Sequence, residues 1–213
     1  MLTSSMIQCQ SGDHFVLVQD ARPSTVRSSA KLSSCRKYRY TLIRTWDESK
    51  PSVMFVGLNP STADAKVDDP TVRRCVGFAR RWGFGKLVLT NLFAFRSTDP
   101  ALLVDIADPV GPENDHWIAQ SSRMADLTVV AWGVHGSLLE RNQEVLAQLH
   151  EPHCLGTTKA GAPRHPLYLP ADAPLQLFSS QRDCAPSPRV VRFPYHTKGP
   201  LHVVIDGRAR GGN

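Results

Sequence analysis

Three side chains, far apart in the chain, have the types and settings that chemistry needs. Asn59 follows the apolar run Val53–Val56 in Gly57-Leu-Asn-Pro-Ser-Thr-Ala-Asp64. Pro60 removes one backbone donor and holds Asn59 out of the helical region, which fixes an amide where a strand ends. Asn91 lies inside the apolar run Lys86–Phe95. A buried amide must find partners, because an unpaired polar group costs about 1–3 kcal/mol, so Asn91 is either a structural bridge or a ligand reader. His165 stands between Arg164 and Pro166 in the Gly- and Pro-rich loop 156–169, which also carries Lys159. Proline stiffening and a titratable ring make it a candidate acid, base or hydrogen-bond donor.

These residues need a scaffold, and the hydrophobic pattern supplies one. Val53–Val56, Lys86–Phe95 and Asp126–Gly133 are short apolar runs stopped by Gly, Pro or polar residues, which reads as strands buried on both faces. His153–Gly156 is a short fourth strand. Asp68-Asp69-Pro70-Thr71 offers an acidic cap and then proline in the first turn of a helix that ends at Gly83. Asp99-Pro100 opens a short helix to Ile106, and Gly111–Asp115 begins another reaching Ala125. Ser137–His150 has helical spacing, with Leu138, Leu139, Val145, Leu146 and Leu149 inward. Cys35–Trp46 alternates apolar residues with Arg36, Arg39 and Arg44. It reads as an edge strand with a solvated face, or as a phosphate-binding stripe. Alternation of strand and helix implies a parallel sheet covered by helices, with ligands at the carboxyl ends of its strands.

Composition narrows the classes. Of 213 residues, 41% are hydrophobic and 21% charged, a globular balance. No apolar run is long enough to span a membrane, and Met1–Met6 lacks the form of a secretory signal, so a cytoplasmic location is expected. The five cysteines are scattered without C-x-x-C spacing, which argues against a disulfide framework, a zinc site or an iron–sulfur cluster. No cofactor or metal is expected. The net charge of +6 is mostly a property of one end. Residues 179–213 hold six basic and two acidic residues, while 35–178 hold 16 and 15. Three segments follow: a polar lead-in at 1–34 with room for one strand at Phe15–Val18, an α/β body at 35–178, and a basic, disordered tail at 179–213.

The body resembles the bacterial family called domain of unknown function 1643. The likeness is carried by Arg39-Tyr40, Gly57–Asp64, Asp69-Pro-Thr71, Asn91-Leu-Phe-Ala94, Gly111-Pro-Glu-Asn114, Ala131-Trp-Gly133 and Gly161–Tyr168. More remotely, Gly57-Leu-Asn-Pro, Asn91, Trp132-Gly133 and His165-Pro166, in that order, are similar to the uracil–DNA glycosylase superfamily. Asn59 resembles its mismatch-specific thymine/uracil branch. Ser61 stands where an aromatic residue or glycine is usual, and His165-Pro-Leu-Tyr168 lacks the superfamily's serine.

The resemblance implies an α/β three-layer sandwich around a short, parallel, four-stranded sheet. It implies a nucleobase-recognising protein acting as an N-glycosidase on a base in nucleic acid or a nucleoside. Asn59 would orient water, Asn91 would read a base edge, and His165 would donate to the departing base, with Asp64, Asp68 or Asp69 supplying a carboxylate. The implied set is Asn59, Asp64 and His165 for catalysis. Gly57, Pro60, Ser61, Asn91, Phe93, Trp132 and Tyr168 would contact substrate, and Lys159 and Arg164 would hold phosphate. The expected partner is a nucleic acid, nucleoside or nucleotide, and no membrane. The alternatives are a non-catalytic nucleobase or nucleotide module, and a metal-dependent hydrolase using Asp64, Asp68, Asp69 and His165.

Overall fold

A computed structural model describes residues 15–19, 26–65 and 67–179. Residues 180–213 of the tail expected from 179 onward, and residues 1–14 and 20–25 of the lead-in, lie outside the described residues.

The strands are β1 (Phe15–Gln19), β2 (Arg27–Ser33), β3 (Arg39–Thr45), β4 (Ser52–Gly57), β5 (Lys86–Asn91), β6 (Leu127–Val130), β7 (His153–Cys154) and β8 (Gln176–Leu177). They form one sheet in the order β1-β2-β3-β5-β4-β6-β7-β8. The run β5-β4-β6-β7 is parallel. On one side β3, β2 and β1 extend it antiparallel, and β8 does so on the other.

The expectation of a four-stranded parallel sheet is therefore corrected: among the described residues the sheet is mixed and has eight strands. The cause is local. Arg27–Ser33 and Arg39–Thr45 are close enough to pair as a hairpin, and β3 then finds the open edge of β5. β3 is accordingly no edge strand. Its arginines are buried, Arg39 at 1% exposure and Arg44 at 3%.

β4 is buried throughout Val53–Val56, and its side chains alternate between two cores. Val53 and Phe55 pack with Leu87, Leu89 and Val129, and with Val72, Cys75 and Phe78 of α1 (Pro70–Arg81). Met54 and Val56 pack with Val88 and Val130. Ile118 of α2 (Asn114–Met124) and Val145 of α3 (Arg141–Leu146) cover that side. α1 starts as its sequence predicts, with the Asp69 carboxylate accepting from the Val72 N–H at 2.8 Å.

The helix expected over 137–150 is shorter. A 3-10 segment, Val134–Glu140, precedes α3, and Leu139 and Glu140 take positive φ of 53° and 54°. That kink turns Leu139 out to solvent at 60% exposure, whereas Val145 stays in the core. Among the described residues no helix is long and apolar enough to cross a membrane.

Candidate functional site

The four parallel strands all point their carboxyl ends to one edge, and the loops leaving them enclose a cavity of about 580 Å³. This lies within the usual size of small-molecule sites. β4 delivers Gly57 and then Asn59, and β5 delivers Asn91. β6 is followed by Ala131-Trp132-Gly133, and the loop after β7 returns with Arg164 and His165. Asn59, Asn91 and His165 all line the cavity, with Gly57, Ser61, Trp132, Arg164 and Tyr168. Phe55 and Leu89 add apolar wall beneath them.

Asn59 is held at one end. Its amide NH2 donates to the Ser97 carbonyl at 2.8 Å and to the Pro60 carbonyl at 3.2 Å. Two carbonyl partners settle which end is nitrogen, so Oδ1 is left as the acceptor end. The Ser97 N–H also donates to the Pro60 carbonyl at 2.9 Å, joining this loop to the one after β5.

Asn91 sits opposite Gly57 across the β4–β5 ladder. It is 3% exposed, and its Nδ2 is buried with no partner. A Cβ at position 57 would lie 2.7 Å from Asn91 Oδ1, so only glycine admits the amide there. The backbone around Asn91 is fixed from behind. Asn114, at the start of α2, donates through Nδ2 to the carbonyls of Asn91 and Leu92 at 3.1 and 2.9 Å. Arg141 donates through Nε to the Leu92 carbonyl at 3.0 Å, and its guanidinium also pairs with Asp115 and Glu144.

His165 Nδ1 accepts from the Leu167 N–H at 3.3 Å. The accepting nitrogen is unprotonated, so the proton of the neutral ring is on Nε2. Burial lowers its pKa below the ordinary value, and nearby Asp69 pulls it partly back up. The ring is therefore neutral near pH 7 and donates through Nε2. Gly133, at φ 74°, turns the chain after Trp132, and its N–H donates to the Pro163 carbonyl at 2.9 Å, bringing the His165 loop against the end of β6.

Other expected residues fall elsewhere. Phe93 is fully buried in the core beside Leu92 and Ile118, with no face for a ligand. Pro60 is buried behind the cavity wall. Lys159 is exposed and outside the cavity wall. Asp64 turns its Oδ1 to the Val67 N–H at 3.0 Å and is likewise outside the wall.

Asp69 is in the wall instead, as are Thr71 and Cys75 of α1. The Cys75 thiol is buried and its pKa is pushed well up by burial, so it stays protonated. Among the described residues, no cluster of three His, Cys, Asp or Glu side chains is arranged to hold a metal ion.

A family model described as protein of unknown function (DUF1643) matches residues 39–167. The chain belongs to the DUF1643 family. No curated protein and no solved structure matches it.

The match begins at Arg39 and takes in every cavity residue except Tyr168. In this DUF1643 protein the wall also contains residues given no part in the cavity by sequence reasoning: Ser97, Thr98, His135 and Thr158. They are polar residues without a distinctive motif, and only the convergence of the segments that follow β5, β6 and β7 brings them together. Arg39 is different. It stands in a family motif, but its alternation with apolar residues reads as a solvated face, and the loop after β4 that takes its guanidinium through the Ala63 carbonyl is a non-local contact.

Proposed function

We propose that the cavity binds a nucleobase and that its activity is hydrolysis of an N-glycosidic bond. The observation that carries this reading is the convergence of Asn59, Asn91 and His165 on one cavity, with the Asn91 amide donor buried and unpaired. An unpaired donor in an apolar wall is what a heterocycle acceptor would satisfy. The remote likeness to the uracil–DNA glycosylase superfamily supports the same reading. With it goes the finer description of the fold as a three-layer sandwich of that type.

In this reading the Asn91 Nδ2 donates to the edge of the base. As the C–N bond breaks, its electron pair passes to the base, and His165 Nε2–H donates to the oxygen on which that charge grows. A neutral imidazole suits this role, since it stabilises charge without surrendering its proton early. Water adds to the sugar carbon. Asn59 Oδ1 accepts a hydrogen bond from that water and orients it, but an amide takes no proton. Among the described residues Asp69 is the one carboxylate in the wall, and it takes the water's proton here.

The test is incubation of the protein with duplexes bearing uracil, mismatched thymine or modified bases, and with free nucleosides. Release of free base, lost in Asn91→Ala and His165→Ala, is expected. No release from any substrate would refute the catalytic reading. A non-catalytic nucleobase module is the second reading, and the locked amide of Asn59 favours it, because an amide held by two carbonyls is no general base. Ligand-induced stabilisation without turnover would select it.

A further inference from the structure

Among the described residues Arg39 is the one charge in the cavity wall with strong burial and no use in the chemistry above. Its Nη1 donates to the Ala63 carbonyl at 2.7 Å, but its Nε is buried and without an acceptor. No carboxylate among the described residues forms an ion pair with it. The other two buried arginines differ: Arg44 pairs with Asp68, and Arg141 pairs with Asp115 and Glu144. Asp69 favours the Arg39 charge from a distance, while Arg96 and Arg44 oppose it. Burial lowers its pKa to about 10, so the group remains a cation at neutral pH. A cation buried without a paired anion is costly, and such groups are kept where something else supplies the charge.

We propose that Arg39 is an anion subsite of this cavity, and that the ligand is a base carrying a terminal phosphate: a nucleoside monophosphate rather than an uncharged nucleoside. The inference rests on the nucleobase reading and adds to it. The guanidinium fork suits a phosphate, and Thr71, from the first turn of α1, lines the same wall at the positive end of that helix. Burial sets the type of phosphate. A guanidinium at 1% exposure is reached by a group that ends there, whereas a phosphodiester needs room for chain on both sides.

Isothermal titration of the full chain tests this with the common nucleosides, their 5′-monophosphates, inorganic phosphate and a short single-stranded oligonucleotide. One monophosphate is expected to bind about ten- to a hundredfold more tightly than its nucleoside, as a charge-assisted hydrogen bond implies. That advantage should shrink in Arg39→Lys, which keeps charge but loses the fork, and vanish in Arg39→Met. If Arg39→Met does not fold, the wild-type comparison decides alone. Equal binding of nucleoside and monophosphate overturns the subsite and leaves the nucleobase reading standing. Binding of inorganic phosphate with no discrimination among bases supports the Arg39 subsite and removes the nucleobase reading. An oligonucleotide that binds as tightly as the monophosphate overturns the terminal-phosphate assignment, and no binding by any probe overturns both.

Discussion

Asn91→Leu separates a ligand-reading amide from a structural one. Leucine branches at Cγ as asparagine does, so the replacement keeps the shape and removes the polarity. The Asn91 Nδ2 is buried and has no hydrogen-bond partner in the protein. Such a donor costs about 1–3 kcal/mol, and the substitution abolishes that cost while burying two methyl groups. Gly57 leaves the neighbouring position without a Cβ, so the wider methyl meets little resistance. A gain of about 1–2 kcal/mol is expected, or roughly 2–8 °C in Tm for a chain of this size. Urea denaturation of both proteins without ligand measures it. Titration with the best nucleobase ligand then measures the loss of binding, which should be at least about tenfold. A variant destabilised by more than about 1 kcal/mol would show that the amide holds the fold together, and the reasoning would fail.

Three further outcomes follow from the same geometry. Gly57→Ala should weaken ligand binding, because its Cβ would stand 2.7 Å from Asn91 Oδ1 and push the amide aside; overpacking costs of about 1–3 kcal/mol should appear in urea melts. Arg141→Met should cost about 1–3 kcal/mol through loss of the charge-assisted bond to the Leu92 carbonyl, which then keeps only Asn114, whereas Asp115→Asn should cost less than about 1 kcal/mol because that carboxylate is half exposed; paired denaturation curves compare them. Stability should fall on acidification. Burial holds His153 and His165 below the ordinary histidine pKa, so the unfolded chain takes up protons first; their contribution is complete above about pH 6.5 and is lost as pH falls through the folded values, which urea midpoints from pH 8 to pH 5 would follow.

The parts of this architecture that local patterning controls were legible. β4, β5 and β6 are apolar runs closed by Gly, Pro or Asn, and Asp69-Pro70 marks the start of α1 because the cap and the fixed φ act within a few residues. Once those strands are parallel, Asn59, Asn91 and Gly133 must emerge at one edge, so their shared cavity follows from topology. What stayed hidden depends on distant pairing. β2 is polar along much of its length, so its ladder with β3 is not announced, and the Arg39 and Arg44 stripe becomes an interior where the loop after β4 lies over it, through the carbonyls of Ala63 and Asp64. The kink at Leu139 and Glu140 escaped for the opposite reason: the apolar spacing of Leu138, Val145 and Leu149 fits a helix, and nothing in those residue types announces a positive φ. Phe93 lies two residues past the end of β5, where strand alternation no longer holds, and packs in the core with Leu92 and Ile118.

The antiparallel extension is what makes the cavity more than a gap between strand ends. The loop between β4 and α1 carries Asn59, Ser61 and Asp69, and a loop of that length has many conformations to lose. β3 removes them from one side. Arg39 takes the Ala63 carbonyl, and Arg44 takes the Asp64 carbonyl at 2.5 Å and the Asp68 carboxylate at 2.8 Å. Ser97 takes the other end of the loop through Pro60 and Asn59. The arginines of β3 thus act on the loop's backbone and not on solvent. Arg44 has its carboxylate and serves the loop alone, while Arg39 reaches the cavity with a donor to spare. Two cations on one strand, buried to the same depth, are divided by that difference into a brace and a candidate ligand contact.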